Sequence, residues 1–327
     1  MNDYNMIVQT PPPKGFIDLG IGNPDFNLLP EAYLKQAAES AFAKGIRASL
    51  QYGAEQGNGY FRSALAEFLT DAYGENVDED SLFISTGSSA ALDLFCTLYT
   101  KQGDTVFVEE PTYFLALKIF ADHGLEVVPV PMDKDGLSIN VLEEMLAKHE
   151  PKLLYTIPTF QNPSGRTLSL KRRERLVALA EKHNFFIVAD EVYHLLSYTE
   201  EEMPVPFALF TGETDKVVSI NSFSKILAPG LRLGWVQADQ RILKKMAACG
   251  LLDSGGGMNP FTTAIVLEML EAGDLAKTLG HLKQAYSTRL AAMDEALQQW
   301  LPSMLYTPPR GGFFYWVRIP GKDTASL

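Results

Sequence analysis

Seven short apolar runs, each closed by turn residues and most of them separated by longer helical patterns, constrain this chain more than any other feature. They are "LFIS" (82–85), "TVFVEE" (105–110), "EVVPVP" (126–131), "KLLYTIP" (152–158), "FFIVAD" (185–190), "KVVSIN" (216–221) and "LGWVQA" (233–238). Runs this short, rich in β-branched and aromatic residues, read as strands. Between them, "SSAALDLFCTLYTK" (88–101) repeats apolar residues at helical spacing, and "SLKRRERLVALAEKHN" (169–184) opens on a serine cap with its charges outside. Such alternation predicts an α/β protein. Its large domain would hold a mainly parallel, seven-stranded sheet flanked by helices, with ligands gathered outside the carboxyl ends of the strands.

Past the last run, "GDLAKTLGHLKQAYSTRLAAMDEALQQW" (273–300) reads as a long helix, and "GGFFYWVRIP" (311–320) as a strand of a smaller α+β domain. The first ~45 residues, with "TPPPKG" and "IGNPDF", read as an extended arm or loop, because proline opposes both helix and central strand. The expected division is an arm and part of the small domain at 1–44, a large domain at 45–284, and the start of an incomplete small domain at 285–327.

Charge and cysteine usage narrow the function. Forty acidic against 28 basic residues give a formal net charge of −12, and the longest basic run is "KRR" at 171–173, so no nucleic-acid partner is expected. Cys96 and Cys249 lie far apart and outside any C-x-x-C, which points away from a disulfide framework or a thiolate metal site. "MNDYNMIVQTPPPKG" lacks a basic cap and apolar core, and no run approaches the roughly 18 apolar residues of a membrane span. A reducing, cytoplasmic location is expected.

Four segments bring polar chemistry to the strand ends. "STGSSAALD" (85–93) puts Gly87, Ser88 and Ser89 at a strand-to-helix junction, either a plain helix cap or an anion site. "PTFQNPSG" (158–165) holds Asn162 in a turn that is either structural or aimed at a ligand. "FFIVADEVY" (185–193) ends an apolar strand on Asp190, which caps a helix or demands a cation or several donors; Tyr193 follows, in the core or in a site. "INSFSKILAPGLRLGW" (220–235) carries Lys225 seven residues before Arg232.

Three chemistries compete with a solvated surface role for Lys225. Ser222 and Lys225 match S-x-x-K, but no K-T-G accompanies them and the motif follows a strand instead of opening a helix. No P-loop, dinucleotide fingerprint or H-E-x-x-H is present. A Schiff base remains, which needs a neutral amine and hence a pKa lowered by burial or by a neighbouring cation such as Arg232. Pyridoxal 5'-phosphate unites the four segments: phosphate on the helix terminus, carboxylate on the pyridine nitrogen, amide and phenol on the ring oxygen.

In their order and spacing, "GNPDF", "YGAEQGNGYFR", "TGSSAALDL", "PTY", "QNPSG", "ADEVY", "SFSKILAPGLRLGW" and "GGFFYW" resemble the class I/II pyridoxal-phosphate aminotransferases of fold type I. The resemblance runs from about residue 18 to about residue 320. It implies amino-group transfer between an amino acid and a 2-oxo acid by ping-pong kinetics, with Lys225 as Schiff-base lysine and proton carrier. Asp190 would hold the pyridine nitrogen, and Tyr193 and Asn162 the ring oxygen. Gly87, Ser88, Ser89, Ser222, Ser224 and Arg232 would hold the phosphate, and Tyr113 would stack on the ring. Tyr52 would reach the phosphate of the partner subunit, implying a homodimer, and "SGGGMNPF" (254–261) would lie near that interface. Gly22 and Asn162 would approach the substrate carboxylate. Family members continue beyond "GGFFYW" and supply a carboxylate-binding arginine, whereas this chain ends at Leu327; the expectation is a truncated chain, the alternative a small domain abbreviated in fact. The scaffold also leaves open a lyase, a decarboxylase or a non-catalytic ligand-binding domain. Apolar and aromatic residues near Gly22 and Tyr113 hint at aromatic or large aliphatic substrates.

Overall fold

Alternating burial along the strands builds the centre of the molecule. The computed structural model describes residues 15, 19, 20, 22–199, 201 and 203–321. Along β2 (Thr105–Glu110), Val106 and Val108 join one apolar cluster and Phe107 another; along β6 (Phe186–Asp190), Val188 joins the first, Ile187 and Ala189 the second. Side chains of period two thus feed cores on both faces of one sheet, which is why these strands read as continuous apolar runs.

The remaining strands are β1 (Leu82–Ser85), β3 (Glu126–Asp133), β4 (Gly136–Leu137), β5 (Pro151–Thr156), β7 (Val217–Ser222) and β8 (Gly234–Ala238). Their order is β1-β8-β7-β6-β5-β2-β3-β4. The pairs β2–β3, β2–β5, β5–β6 and β6–β7 are parallel, while β8 runs against both of its neighbours. The sheet therefore has eight strands, not seven. The extra one, β4, is a two-residue return from β3, too short to leave a pattern. Pro129 and Pro131 sit in β3 near the sheet's edge, where the loss of N–H donors is tolerated.

Ten α-helices surround the sheet among the described residues: α1 (Glu31–Lys44), α2 (Gly59–Tyr73), α3 (Ser88–Tyr99), α4 (Phe114–Asp122), α5 (Ile139–Leu146), α6 (Leu170–His183), α7 (Gln240–Ala247), α8 (Gly250–Gly255), α9 (Pro260–Glu271) and α10 (Asp274–Trp300). Three sequence expectations need correction. The stretch read as an extended arm contains α1, which starts just past Pro30 and packs on α9, with Lys44 paired to Glu268 at 2.9 Å. "GGFFYWVRIP" forms no strand; its backbone makes isolated bridges, Gly311 to Ser197 and Arg318 to Leu305. Within "KRR", Arg173 is fully buried instead of lying outside, and Ser169 stands at the α6 N-cap without a side-chain capping bond.

Candidate active site

The carboxyl ends of β1, β2, β5, β6 and β7 share one edge of the sheet with the start of β8. Lys225 lies three residues past the end of β7. Its half-buried amine donates to the Gly22 carbonyl at 2.6 Å and lies 5.5 Å from the centre of the Phe313 ring. Burial holds this amine below the ordinary lysine range, and the Asp190 charge works against that shift. Arg232, expected to lower it, is occupied elsewhere: its guanidinium faces Gly87.

Gly87 caps α3 at φ +115°, and a Cβ there would lie 3.1 Å from Arg232 Nη2 and 3.8 Å from Ser222 Oγ. Ser222 Oγ donates to Ser224 Oγ at 2.8 Å and accepts from the Ser224 amide at 3.1 Å. Ser88 is half-buried and Ser89 exposed on the first turn of α3. A bare glycine, two hydroxyls, a guanidinium and the amide end of a helix make a cradle whose chemistry suits a phosphate.

Asp190 ends β6 and is 6% exposed. Its Oδ2 accepts from the Tyr155 hydroxyl at 2.8 Å, while Oδ1 is buried with no hydrogen-bond partner. Burial pushes its pKa up to about 7; Tyr155, the Val192 amide and the Lys225 charge pull the other way. A buried acceptor left open is costly, and a protonated ring nitrogen is the kind of donor that would close it. These residues fit pyridoxal phosphate at both its acidic and its basic end.

Tyr193 is 3% exposed, with the Asn162 side chain beside its hydroxyl and its ring 5.6 Å from Phe313 and 6.2 Å from Phe314. Burial, aided by the Asp190 charge, raises its pKa above the usual phenol range. Tyr113 stands half-buried at the N-terminus of α4, its pKa raised by burial and by Asp190. At Gly22 a Cβ would meet Phe314 Cζ at 2.6 Å, so a larger residue there would have to displace that ring while the loop brings its carbonyl to Lys225. Tyr52 is not brought into this cluster. It is 83% exposed and, with Tyr60, Gly257 and Met258, lines a surface hollow of about 260 Å³; the Gly257 amide donates to the Gly53 carbonyl at 2.8 Å.

Sequence reading passed over several residues that support the site. Tyr155 was simply part of a strand, although a tyrosine in a fully buried strand needs a partner for its hydroxyl. Glu109, Gln161, Arg173 and Glu191 are all buried, and only pairing across strands and loops explains why they are there.

A sheet wound in this order around a half-buried lysine has the architecture of a fold type I pyridoxal-phosphate enzyme. The family model for aminotransferase class I and II matches residues 14–327; the chain belongs to that family and is a pyridoxal-phosphate-dependent aminotransferase acting on amino and oxo acids. It is 36% identical over 316 residues to aromatic-amino-acid aminotransferase 1 of Thermococcus litoralis, covering 94% of this chain and 75% of that one. The kynurenine aminotransferase of Pyrococcus horikoshii superposes with a TM-score of 0.87 at 32% identity, over 94% of this chain and 77% of that one. The α-aminoadipate aminotransferase of Thermus thermophilus, complexed with N-(5'-phosphopyridoxyl)-L-leucine, gives 0.85 at 30% identity, over 96% and 79%. Among the described residues no helix is long and apolar enough to cross a membrane.

Proposed function

We propose that this aminotransferase takes aromatic amino acids as donors and that Lys225 is its covalent anchor for pyridoxal phosphate. The observation that carries the anchor is the pairing, on one sheet edge, of a lysine amine weakened as a base by burial with a buried carboxylate whose Oδ1 is unpartnered. Bound cofactor supplies an electron sink for negative charge at the substrate α-carbon. Lys225 Nζ, held near Gly22, accepts the α-proton and returns it. Asp190 Oδ1 accepts from the ring nitrogen and keeps it protonated. Asn162 and Tyr193 hydrogen-bond the ring oxygen, and Asn162 and the Gly22 loop approach the substrate carboxylate. Gly87, Ser88, Ser89, Ser222, Ser224 and Arg232 hold the phosphate, and Tyr113 covers one face of the ring.

The aromatic preference is supported by Phe313 beside the amine, by Tyr193 and Phe314 packed next to it, and by relatives named for aromatic amino acids and for kynurenine. Two protomers pair so that Tyr52 of each completes the other's phosphate site; the exposure of that ring in one chain supports this arrangement. On this proposal the chain divides at residues 44 and 284 and works in the cytoplasm, where its two buried free thiols would stay reduced.

The test is the visible spectrum of the protein with added cofactor, before and after borohydride, beside Lys225→Ala. The parent is expected to show a long-wavelength band that borohydride removes, that Lys225→Ala lacks, and that phenylalanine or tyrosine bleaches faster than aspartate. The same band in Lys225→Ala, again removed by borohydride, rejects the anchor; faster bleaching by aspartate rejects the donor class.

A further inference from the structure

Beneath the mouth of the site lies a buried polar cluster that the reaction does not use. Glu109, next to last in β2, is 2% exposed; Thr156 Oγ1 donates to its Oε1 at 2.6 Å, and the Ile157 amide and Gln161 Nε2 donate to its Oε2 at 3.1 and 3.2 Å. None of these donors is a cation. A carboxylate without a counter-charge in so dry a place is an expensive structural element, and apolar packing would have filled the space at lower cost. Its pKa is accordingly raised to about 7 by burial, against the three hydrogen bonds.

Gln161, 1% exposed, is the other half of the cluster. Besides bonding Glu109, its Nε2 donates to the Pro111 carbonyl at 2.8 Å and its Oε1 accepts from the Ser164 amide at 2.8 Å. Its backbone closes the same turn, accepting from the Gly165 amide and donating to the Arg166 carbonyl. One side chain therefore fastens two loops that belong to different strands: the loop from β2 that delivers Tyr113, two residues past Pro111, and the loop from β5 that delivers Asn162, its immediate neighbour. Glu109 fixes which way the amide of Gln161 points, because its Oε2 accepts only from the Nε2 end.

We propose that Glu109 and Gln161 form a positioning clasp that sets the Tyr113 and Asn162 loops against each other across the cofactor site. Neither touches the reacting atoms; they act through the two residues they place. The inference rests on the cofactor-contacting roles proposed for Tyr113 and Asn162. It also makes a chemical distinction: the clasp works through donor and acceptor geometry, not charge. In Glu109→Gln the new Oε1 takes the bonds of the Ile157 amide and Gln161, while the new amide donates to Thr156, whose hydroxyl turns to accept. The clasp survives in that variant. In Gln161→Leu it does not, since the Pro111 carbonyl and the Ser164 amide lose their shared partner.

Gln161→Leu, Glu109→Gln and, as a stability control, Leu142→Ala in the other core cluster are compared with the parent as full-length, cofactor-loaded protein. Melting temperature, kcat and KM are measured, together with the pH midpoint of the cofactor's visible band. Gln161→Leu is expected to lower kcat about tenfold or more, with a smaller change in KM, because a small misplacement of a positioning group is costly. It also shifts the spectral midpoint by about half a unit, since Asn162 is displaced from the ring oxygen. Glu109→Gln keeps both quantities within about twofold of the parent, or its equivalent in pH. Leu142→Ala lowers the melting temperature and leaves the midpoint in place. The clasp is overturned if Gln161→Leu keeps the parental kcat and midpoint, if Glu109→Gln loses as much as Gln161→Leu, or if Leu142→Ala moves the midpoint as far. A parent without the band overturns the Lys225 anchor, and the clasp with it; a parent with the band and an unaltered Gln161→Leu overturns the clasp alone.

Discussion

Asp190 shows how strongly burial acts on a carboxyl group. Its pKa is raised to about 7 by desolvation. A carboxyl whose folded pKa exceeds its unfolded value adds stability below the unfolded pKa and loses it as pH rises through the folded one. Asp190 is therefore expected to contribute a loss of stability to the cofactor-free protein between about pH 4 and pH 7, and Asp190→Asn to remove that contribution in a series of thermal melts. Cofactor affinity runs the other way. The parent should bind pyridoxal phosphate more tightly as pH climbs through the Asp190 pKa and its carboxylate ionises, a limb that titration of Asp190→Asn should lack. Tyr155→Phe removes the donor to Oδ2, so the same limb should shift to higher pH and kcat should fall about tenfold, as expected for a hydrogen bond to a charged group. An unchanged affinity limb in Tyr155→Phe would show that the tyrosine hydroxyl does not tune Asp190.

At the scale of elements, α6 is tied to the site by Arg173. Its guanidinium donates to the carbonyls of Leu168, Val205 and Pro158 and to Thr159 Oγ1, and sits 3.7 Å from Glu191. Glu191 in turn accepts from the Phe207 and Ala208 amides and from Ser219 Oγ. These bonds hold together the loop that carries Asn162 and the one that follows Asp190. Replacing one partner strands the other in a dry interior, so Arg173→Met is expected to cost about 3 kcal/mol or more, read as a lower urea midpoint at unchanged slope. Loss of less than about 1 kcal/mol, the scale of an exposed pair, would show that the cluster carries little weight. "KRR" looked like a solvated face because local periodicity cannot see that the helix buries its fourth residue against loops from two other strands.

Across the whole molecule, the proposed exchange of Tyr52 between protomers has a specific consequence. Neither Tyr52→Ala nor Lys225→Ala alone should be active, but equal mixing with subunit exchange should regain roughly a quarter of parental activity, since half of the dimers would hold one complete site. Additive, unrescued losses would place Tyr52 in its own protomer's structure. The exposed rings of Tyr52 and Tyr60 are the surface through which such pairing would occur, and sedimentation of each variant should report the same mass as the parent.

The linear chain determined the sheet and the order of its chemistry. Period-two runs buried on both faces, helical spacing between them, a glycine before two serines, an aspartate at a strand end and a lysine after the next strand are local patterns, and local patterns survive in one dimension. The antiparallel β8 and the two-residue β4 were beyond its reach, because direction and register depend on which strands pair. So were the pairing of Tyr155 with Asp190, the fastening of two loops by Gln161, and the burial of Arg173. Each is a contact between segments far apart in sequence, made only when the sheet brings neighbouring strand ends within hydrogen-bond distance. Which residues are proposed to bear the chemistry can be read locally; what their surroundings do to their charge is decided by burial, and burial belongs to the folded molecule.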